Sequence, residues 1–309
     1  MRVLVAGATG VIGRQLVPLL TATGYEVTAL SRSGRPVGGP GVRAVAADAL
    51  DRAALTAAVR EARPDAVVHL LTAIPAEIDP RRMTRDMALT SRLRTEGTRN
   101  LLDAARAAGA GRVITQGVAF GYDPDAGHGP ADEDQPLWDN PPAQMRAPAT
   151  AVKELERLTA EADGLVLRFG HLYGPGTVYA ADGSTVRQIR NRRMPVVGQG
   201  TATFSFTHTH DAATAVVAAL GRPVNGVLNI VDDEPAQVGA WLPELAAILG
   251  APAPRKIPTL LAGLVAGPVG VAFMTRLRGA DNARARLALN WRPRHTTWRD
   301  GFVAELGEK

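Results

Sequence analysis

The chain opens with a short apolar run, Arg2–Ala6, followed by a helical pattern over 15–23. Further apolar runs lie at 26–30, 42–46, 66–71 and 112–115, and at Leu165–Phe169. Ala-rich stretches with helical spacing separate them, notably Arg52–Ala62, 84–108 and 150–162. The apolar runs show little alternation with polar residues, as expected of strands buried on both faces. Strands joined by helices predict an α/β fold, a doubly wound parallel sheet with ligands beyond the carboxyl ends of its strands. After about Tyr173, Gly and Pro become frequent and the elements shorten. The expected division is a larger part, 1–174, with 206–234 returning to its sheet. A smaller interleaved C-terminal lobe, 175–205 and 235–309, would bind substrate.

One uncharged stretch, 257–275, has the length of a bilayer span. Pro258, Gly263, Gly267, Pro268 and Gly270 interrupt it, which predicts two short packed helices instead. No membrane association is expected. The net charge is +5, but the Arg residues are scattered and form no run interleaved with aromatics. That pattern argues against nucleic acid and for a solvated surface. There is no cysteine, which excludes disulfides, a thiolate nucleophile and Cys-based metal sites. No metal is expected. The N-terminus enters a strand without a signal-peptide pattern, so a cytoplasmic enzyme acting on a small molecule, as monomer or homodimer, is the expectation.

The first strand runs into Gly7-Ala8-Thr9-Gly10-Val11-Ile12-Gly13, which opens a helix. A tight glycine turn lets backbone approach a pyrophosphate, and the helix N-terminus offers it free N–H groups. The strand before and the helix after are what make this pattern specific. A Rossmann domain binding a nicotinamide dinucleotide through Gly7, Thr9, Gly10, Val11, Ile12 and Gly13 follows. An NAD-selective site usually ends its second strand on Asp or Glu; here Ser31-Arg32-Ser33-Gly34-Arg35 stands instead. Arg32 beside Ser31 suits a 2′-phosphate, so NADPH/NADP+ is the expected cofactor, although an exposed loop Arg would look the same. Asp48 and Ala49 end the third strand, where Asp48 would meet the adenine or, alternatively, cap the next helix. Leu71 and Thr72, after the fourth strand, complete the cofactor set.

Taken together, these residues resemble the extended short-chain dehydrogenase/reductases, the group that includes nucleotide-sugar epimerases and dehydratases. The resemblance runs from the glycine turn and Asp48 through Val68-His69-Leu70 and Gly97-Thr98-Arg99-Asn100-Leu101-Leu102. It continues with Leu167-Arg168, Tyr173-Gly174-Pro175-Gly176, Phe206-Thr207-His208 with Asp211, Asn229 and Leu289-Asn290-Trp291-Arg292-Pro293. It implies a Lys that holds the nicotinamide ribose, here Lys153. It also implies a Tyr four residues before that Lys, where this chain has Ala149. Gln116 stands at the family's Ser/Thr position, and Arg94 where an Asn is common.

Loss of a positioned acid typically forfeits about 10²–10⁴ in rate, but hydride delivery by positioning survives it. Thr115 and Gln116, expected at the end of the fifth strand, and His171, after the sixth, are candidates to polarise or protonate a substrate; Tyr122, Tyr173 and His208 are further ones. Alternatively, a phenol beside the carbonyl of the substrate delivers the proton itself. The combination is similar to atypical ketoreductases of angucycline-type polyketide tailoring. It implies an NADPH-dependent ketoreductase of a polycyclic aromatic ketone. Phe120, Trp138, Tyr173 and Met194 are the expected substrate contacts, with Met145, Phe204 and the 260–273 stretch as further apolar lining. A nucleotide-sugar enzyme with an unusual acid, with Arg187, Arg190, Arg192 and Arg193 on a diphosphate, and a non-catalytic NADP(H)-binding regulator are the alternatives.

Overall fold

The computed structural model describes residues 1–307. Seven strands form one parallel sheet: β1 Arg2–Ala6, β2 Glu26–Ser31, β3 Arg43–Ala46, β4 Ala66–His69, β5 Arg112–Val118, β6 Leu165–Phe169, and the strand Gly226–Ile230. Their order across the sheet is Gly226–Ile230, β6, β5, β4, β1, β2, β3. The order reverses at β1, which has β4 on one side and β2 on the other. A crevice opens at the carboxyl ends of strands at such a switch point.

Helices cover both faces. Helix α1, Val11–Ala22, packs beside Thr209–Leu220 on one face, with Leu16, Val17, Leu20 and Val216 in a fully enclosed core. Helix α2, Arg52–Ala62, and the helix Thr98–Ala107 cover the other face through Leu55, Val59, Leu101 and Ala105. Trp291 Nε1 donates to Thr214 Oγ1 at 3.0 Å, and the Asp211 carboxylate accepts from the backbone N–H groups of Arg294 and His295. Those bonds tie the C-terminal segment to the helix Thr209–Leu220.

A second core lies beyond the strand ends, built on Phe204, Phe206, Trp241, Trp298 and Phe302. Short strand pairs frame it: His171–Tyr173 with Phe206–His208, and Thr203–Phe204 with Ala236–Gln237. The apolar stretch 257–275 forms the helix Thr259–Thr275, broken at Gly267, whose φ of 68° is non-helical. This agrees with the two short helices expected from its glycines and prolines. Among the described residues, no helix is long and apolar enough to cross a membrane.

Three expected boundaries move. β5 runs three residues further, through Val118, so Thr115 and Gln116 sit inside the strand rather than at its end. The single helix expected over 84–108 is instead Met83–Asp86, Ala88–Arg92, a π turn Leu93–Gly97 and Thr98–Ala107. The helix expected over 150–162 spans Ala143–Glu161 and keeps Pro148 inside it. Proline removes the N–H that would serve the carbonyl four residues earlier. That carbonyl, of Gln144, accepts instead from Thr84 Oγ1 at 3.0 Å.

Candidate active site

The glycine turn is built for close approach. Gly7 has φ 93°, and a Cβ there would come within 2.8 Å of the Leu70 carbonyl oxygen. A Cβ on Gly13 would lie 2.4 Å from the Gly7 oxygen. Neither position admits a larger residue, and Gly10 caps α1 without any side chain over the first helical N–H groups. The turn is therefore a cradle of bare backbone at a helix N-terminus, the form that fits a pyrophosphate. Arg14 Nε donates to the Thr9 carbonyl at 2.7 Å and steadies the turn. Arg32 is exposed, makes no ion pair among the described residues, and borders a shallow depression with Thr9 and Ser33. Ser31 is buried and ends β2. Asp51, not Asp48, caps α2, through Oδ1 and the Ala54 N–H at 3.0 Å. Asp48 closes a local turn onto the Leu50 N–H and stays exposed. Buried Ala49 accepts from Asn100 Nδ2 at 2.9 Å through its carbonyl.

From the turn, a cavity of about 610 Å³ extends across the strand ends, lined mostly by apolar atoms. Gly7, Gly10, Val11, Ile12, Gly13 and Thr72 line it at the glycine turn and the end of β4. Gln116, Ala149 and Lys153 line it too, as do Phe120, Trp138, Met145 and His171. Thr9, Ser31, Arg32, Asp48, Ala49 and Leu71 lie off this cavity.

At β4, His69 is fully buried. Its Nδ1 accepts from the Leu71 N–H at 3.2 Å, which leaves the proton on Nε2, 2.8 Å from Thr98 Oγ1. The Thr98 hydroxyl donates to the Leu93 carbonyl at 3.3 Å. Burial and the nearby Arg94 push the His69 pKa down to about 4, so it is neutral here.

The candidate proton donors fare differently. Gln116 lines the cavity, but Thr115, one residue earlier on β5, faces away: its hydroxyl bonds to Thr159 Oγ1 at 3.0 Å, wholly buried. Neighbouring strand residues point to opposite faces, so only one of the two can reach the cavity. His171 stacks between Phe120 and Phe204, with ring centroids 4.5 and 3.8 Å away, and its Nε2 has no partner. Burial drives its pKa down to about 3, which corrects the expectation of a general acid near neutral pH. Lys153 lies on the cavity wall and pairs with the exposed Asp139.

Tyr122 is spent in a buried network: it donates to Asn229 Oδ1 and accepts from Arg168 Nη1, both at 2.7 Å, while Arg168 pairs with Glu156. Burial pushes its pKa up to about 12. His208 reaches Glu305 at 3.2 Å and lies off the cavity. Tyr173, an expected substrate contact, is enclosed in the second core against Gly301, where a Cβ would sit 1.8 Å from its hydroxyl. Met194 and Phe204 pack into that core as well, and of the 260–273 stretch only Phe273 reaches the cavity. Leu260 and Leu264 point outward and are exposed.

Several lining residues escaped the sequence reading: Tyr179, Met83, Met87 and Val152, together with the burial of Arg94. Tyr179 is the phenol that does line the cavity, its ring held among Phe206, Trp241 and Phe302 and its pKa raised by burial. The pair Tyr173-Gly174 drew attention to the wrong tyrosine, six residues early.

A model of the NAD dependent epimerase/dehydratase family matches residues 3–231. Over 99% of its length the chain is 49% identical to the whole of a Streptomyces protein named 3-diazoavenalumate denitrifying reductase. It is 32% identical to dTDP-4-dehydrorhamnose reductase of Streptomyces griseus, across 84% of this chain and 79% of that one. Among solved structures, MoeE5 in complex with UDP-glucuronic acid and NAD superposes with a TM-score of 0.74 at 25% identity, covering 99% of this chain and 98% of that one. Human epimerase family protein SDR39U1 with NADPH gives 0.73 at 23% identity, covering 99% of both. The chain belongs to the NAD-dependent epimerase/dehydratase family, within the extended short-chain dehydrogenase/reductases, and is a nicotinamide-dependent oxidoreductase.

Proposed function

We propose that the chain is an NADPH-dependent reductase that places hydride on a hydroxylated aromatic substrate and supplies no proton from the protein. The observation that carries this reading is the cavity lining, which holds Gln116, Ala149 and Lys153, and in which the imidazole of His171 is held neutral. Residues 1–174 and 206–234 hold the cofactor and most of the substrate wall; 175–205 and 235–309 add Tyr179, Arg187 and Phe273 to the substrate site. Arg32 takes the 2′-phosphate, the glycine turn the pyrophosphate, and Lys153 the nicotinamide ribose, exchanging Asp139 for it. The bound cofactor supplies the hydride. Apolar walls of Phe120, Trp138, Met145 and Phe273 exclude water and orient a flat ring.

The substrate that fits this arrangement best is an arene bearing a diazo group, the kind of group named for the 49% identical Streptomyces reductase. There the arene carbon gains hydride as its C–N bond breaks, dinitrogen leaves with the bonding pair of that bond, and the product carbon needs no proton. An absent acid then costs the reaction nothing. A phenolic polycyclic ketone is the second reading. The Gln116 amide N–H₂ favours it, because it can hold a carbonyl oxygen while the neighbouring phenol of the substrate delivers the proton.

Purified protein with deuterated NADPH separates these readings. A diazo-phenol should consume NADPH, release dinitrogen in equal amount and carry deuterium at the former diazo carbon. A polycyclic ketone should carry it at the carbinol carbon and lose turnover when its phenol is methylated. Turnover confined to nucleotide sugars would overturn both.

A further inference from the structure

Arg94 is the charged group that the proposed reaction leaves unused. The residue is only 4% exposed, its Nε is buried without a partner, and its side chain makes no hydrogen bond or ion pair with any described residue. Burial pushes its pKa down to about 10, and no carboxylate opposes that shift. Arg168, also buried, is the contrast: Glu156 takes two of its nitrogens at 2.7 Å each. A buried guanidinium without an acceptor is strongly unfavourable by itself, so its place is explained when a ligand completes it.

Arg94 lies on the cavity wall with Thr72, Gln116 and Lys153. It sits in the π turn Leu93–Gly97, a form of helix that recurs at functional sites. Of the other cations on that wall, Lys153 has Asp139, and Arg187 donates to the Asp182 carbonyl. Arg94 alone among the three has no acceptor.

We propose that Arg94 receives an anionic oxygen group of the substrate, a carboxylate or an ionised phenol, and so selects acidic aromatic molecules. The planar guanidinium fork suits paired oxygens, and the apolar surroundings strengthen the contact. Naming the molecule aromatic rests on the reductase reading; the anion requirement stands on Arg94 alone.

The test is calorimetric titration of the full chain, with NADP+ present, using 4-hydroxycinnamate, its methyl ester, its methyl ether and the neutral ester-ether. Wild type should bind the acid at least about tenfold more tightly than Arg94→Met does, and the ester-ether equally weakly in both. Loss of affinity with the ester identifies the carboxylate as the partner, and loss with the ether identifies the phenol. Thermal melting of Arg94→Met should be unchanged or higher, because an unpaired buried charge is gone; a merely structural Arg would give a lower value. Where Arg94→Met does not fold, Arg94→Gln carries the same comparison. Equal affinity of wild type and variant for the acid, wild-type preference for the neutral ester-ether, or no binding of the acid to wild type would overturn the proposal. Failure of the reductase reading is distinguishable: aromatic acceptors would then go unreduced while the Arg94-dependent anion preference persisted.

Discussion

Nε2 of His69 lies 2.8 Å from the hydroxyl of Thr98, and through that hydroxyl the end of β4 is bonded to the turn that carries Arg94. Three donors and three acceptors are matched in a line: Leu71 N–H to Nδ1, Nε2–H to Oγ1, and Oγ1–H to the Leu93 carbonyl. Replacing Thr98 by Val keeps the shape and leaves the buried Nε2–H of His69 without a partner, while the Leu93 carbonyl keeps the backbone N–H of residue 98. Thr98→Val should lower unfolding free energy by about 1–3 kcal/mol. Urea denaturation at neutral pH measures it; a loss near zero would mean that the line of bonds is dispensable.

The same histidine sets an acid limit, together with His171. Both have folded pKa values pushed below the ordinary imidazole value, to about 4 and about 3. Between those values and pH 6.5 the unfolded chain binds more protons than the folded one. Their contribution to stability is therefore level above about pH 6.5 and falls as pH drops toward 4, by up to about 1.4 kcal/mol per pH unit for each histidine, against the opposite slope of the buried carboxyls of Asp232 and Glu133, whose pKa values burial raises. Melting temperatures from pH 8 to 4.5 should show this slope, and His171→Phe should reduce it. A slope unchanged in that variant would mean that His171 is not neutral in the fold.

Arg32→Ala tests the cofactor. The side chain is exposed and unpaired, so its removal should not alter melting. NADPH should bind roughly 10–100-fold more weakly and NADH within about twofold of wild type, the signature of a lost charge-assisted phosphate contact. Equal losses for both cofactors would remove the 2′-phosphate role.

Tyr179→Phe tests whether a protein acid acts at all. Tyr179 is the tyrosine on the cavity wall, so a true proton donor there would forfeit about 10²–10⁴ in kcat. Acid-free reduction predicts less than about a fivefold change in single-turnover rate, since only packing is touched. Lys153→Met should instead weaken cofactor binding, seen by fluorescence titration with NADPH. Unchanged affinity would leave Lys153 without the ribose.

Much of the fold was legible because buried parallel strands are apolar throughout, and β1, β2 and β6 fall where their hydrophobic runs do. The interruptions at Pro258 and Gly267 likewise gave the broken helix. What misled was local chemistry decided by distant partners. The helix expected over 150–162 begins earlier, at Ala143, with Pro148 inside it, and the hydroxyl that compensates for that proline, on Thr84, is distant in sequence. Thr115 and Gln116 looked equivalent because the strand was cut at Thr115, and a strand's alternation separates them only when it continues through Val118. The glycine turn was readable because its constraint is backbone and local. Whether His171 is charged, or Arg94 paired, depends on residues brought in from other strands.

The bond from Thr84 to the Gln144 carbonyl has one more consequence. It clasps the segment that supplies Met83 and Met87 to the helix that supplies Ala149 and Lys153, so two walls of the cavity share one backbone frame. Tolerance for molecules of different outline then resides in the bending of thioether side chains, which are unbranched and adaptable, rather than in hinging of the frame. Diversification of substrate range in this chain would proceed by exchanging the two methionines, with the clasp left intact.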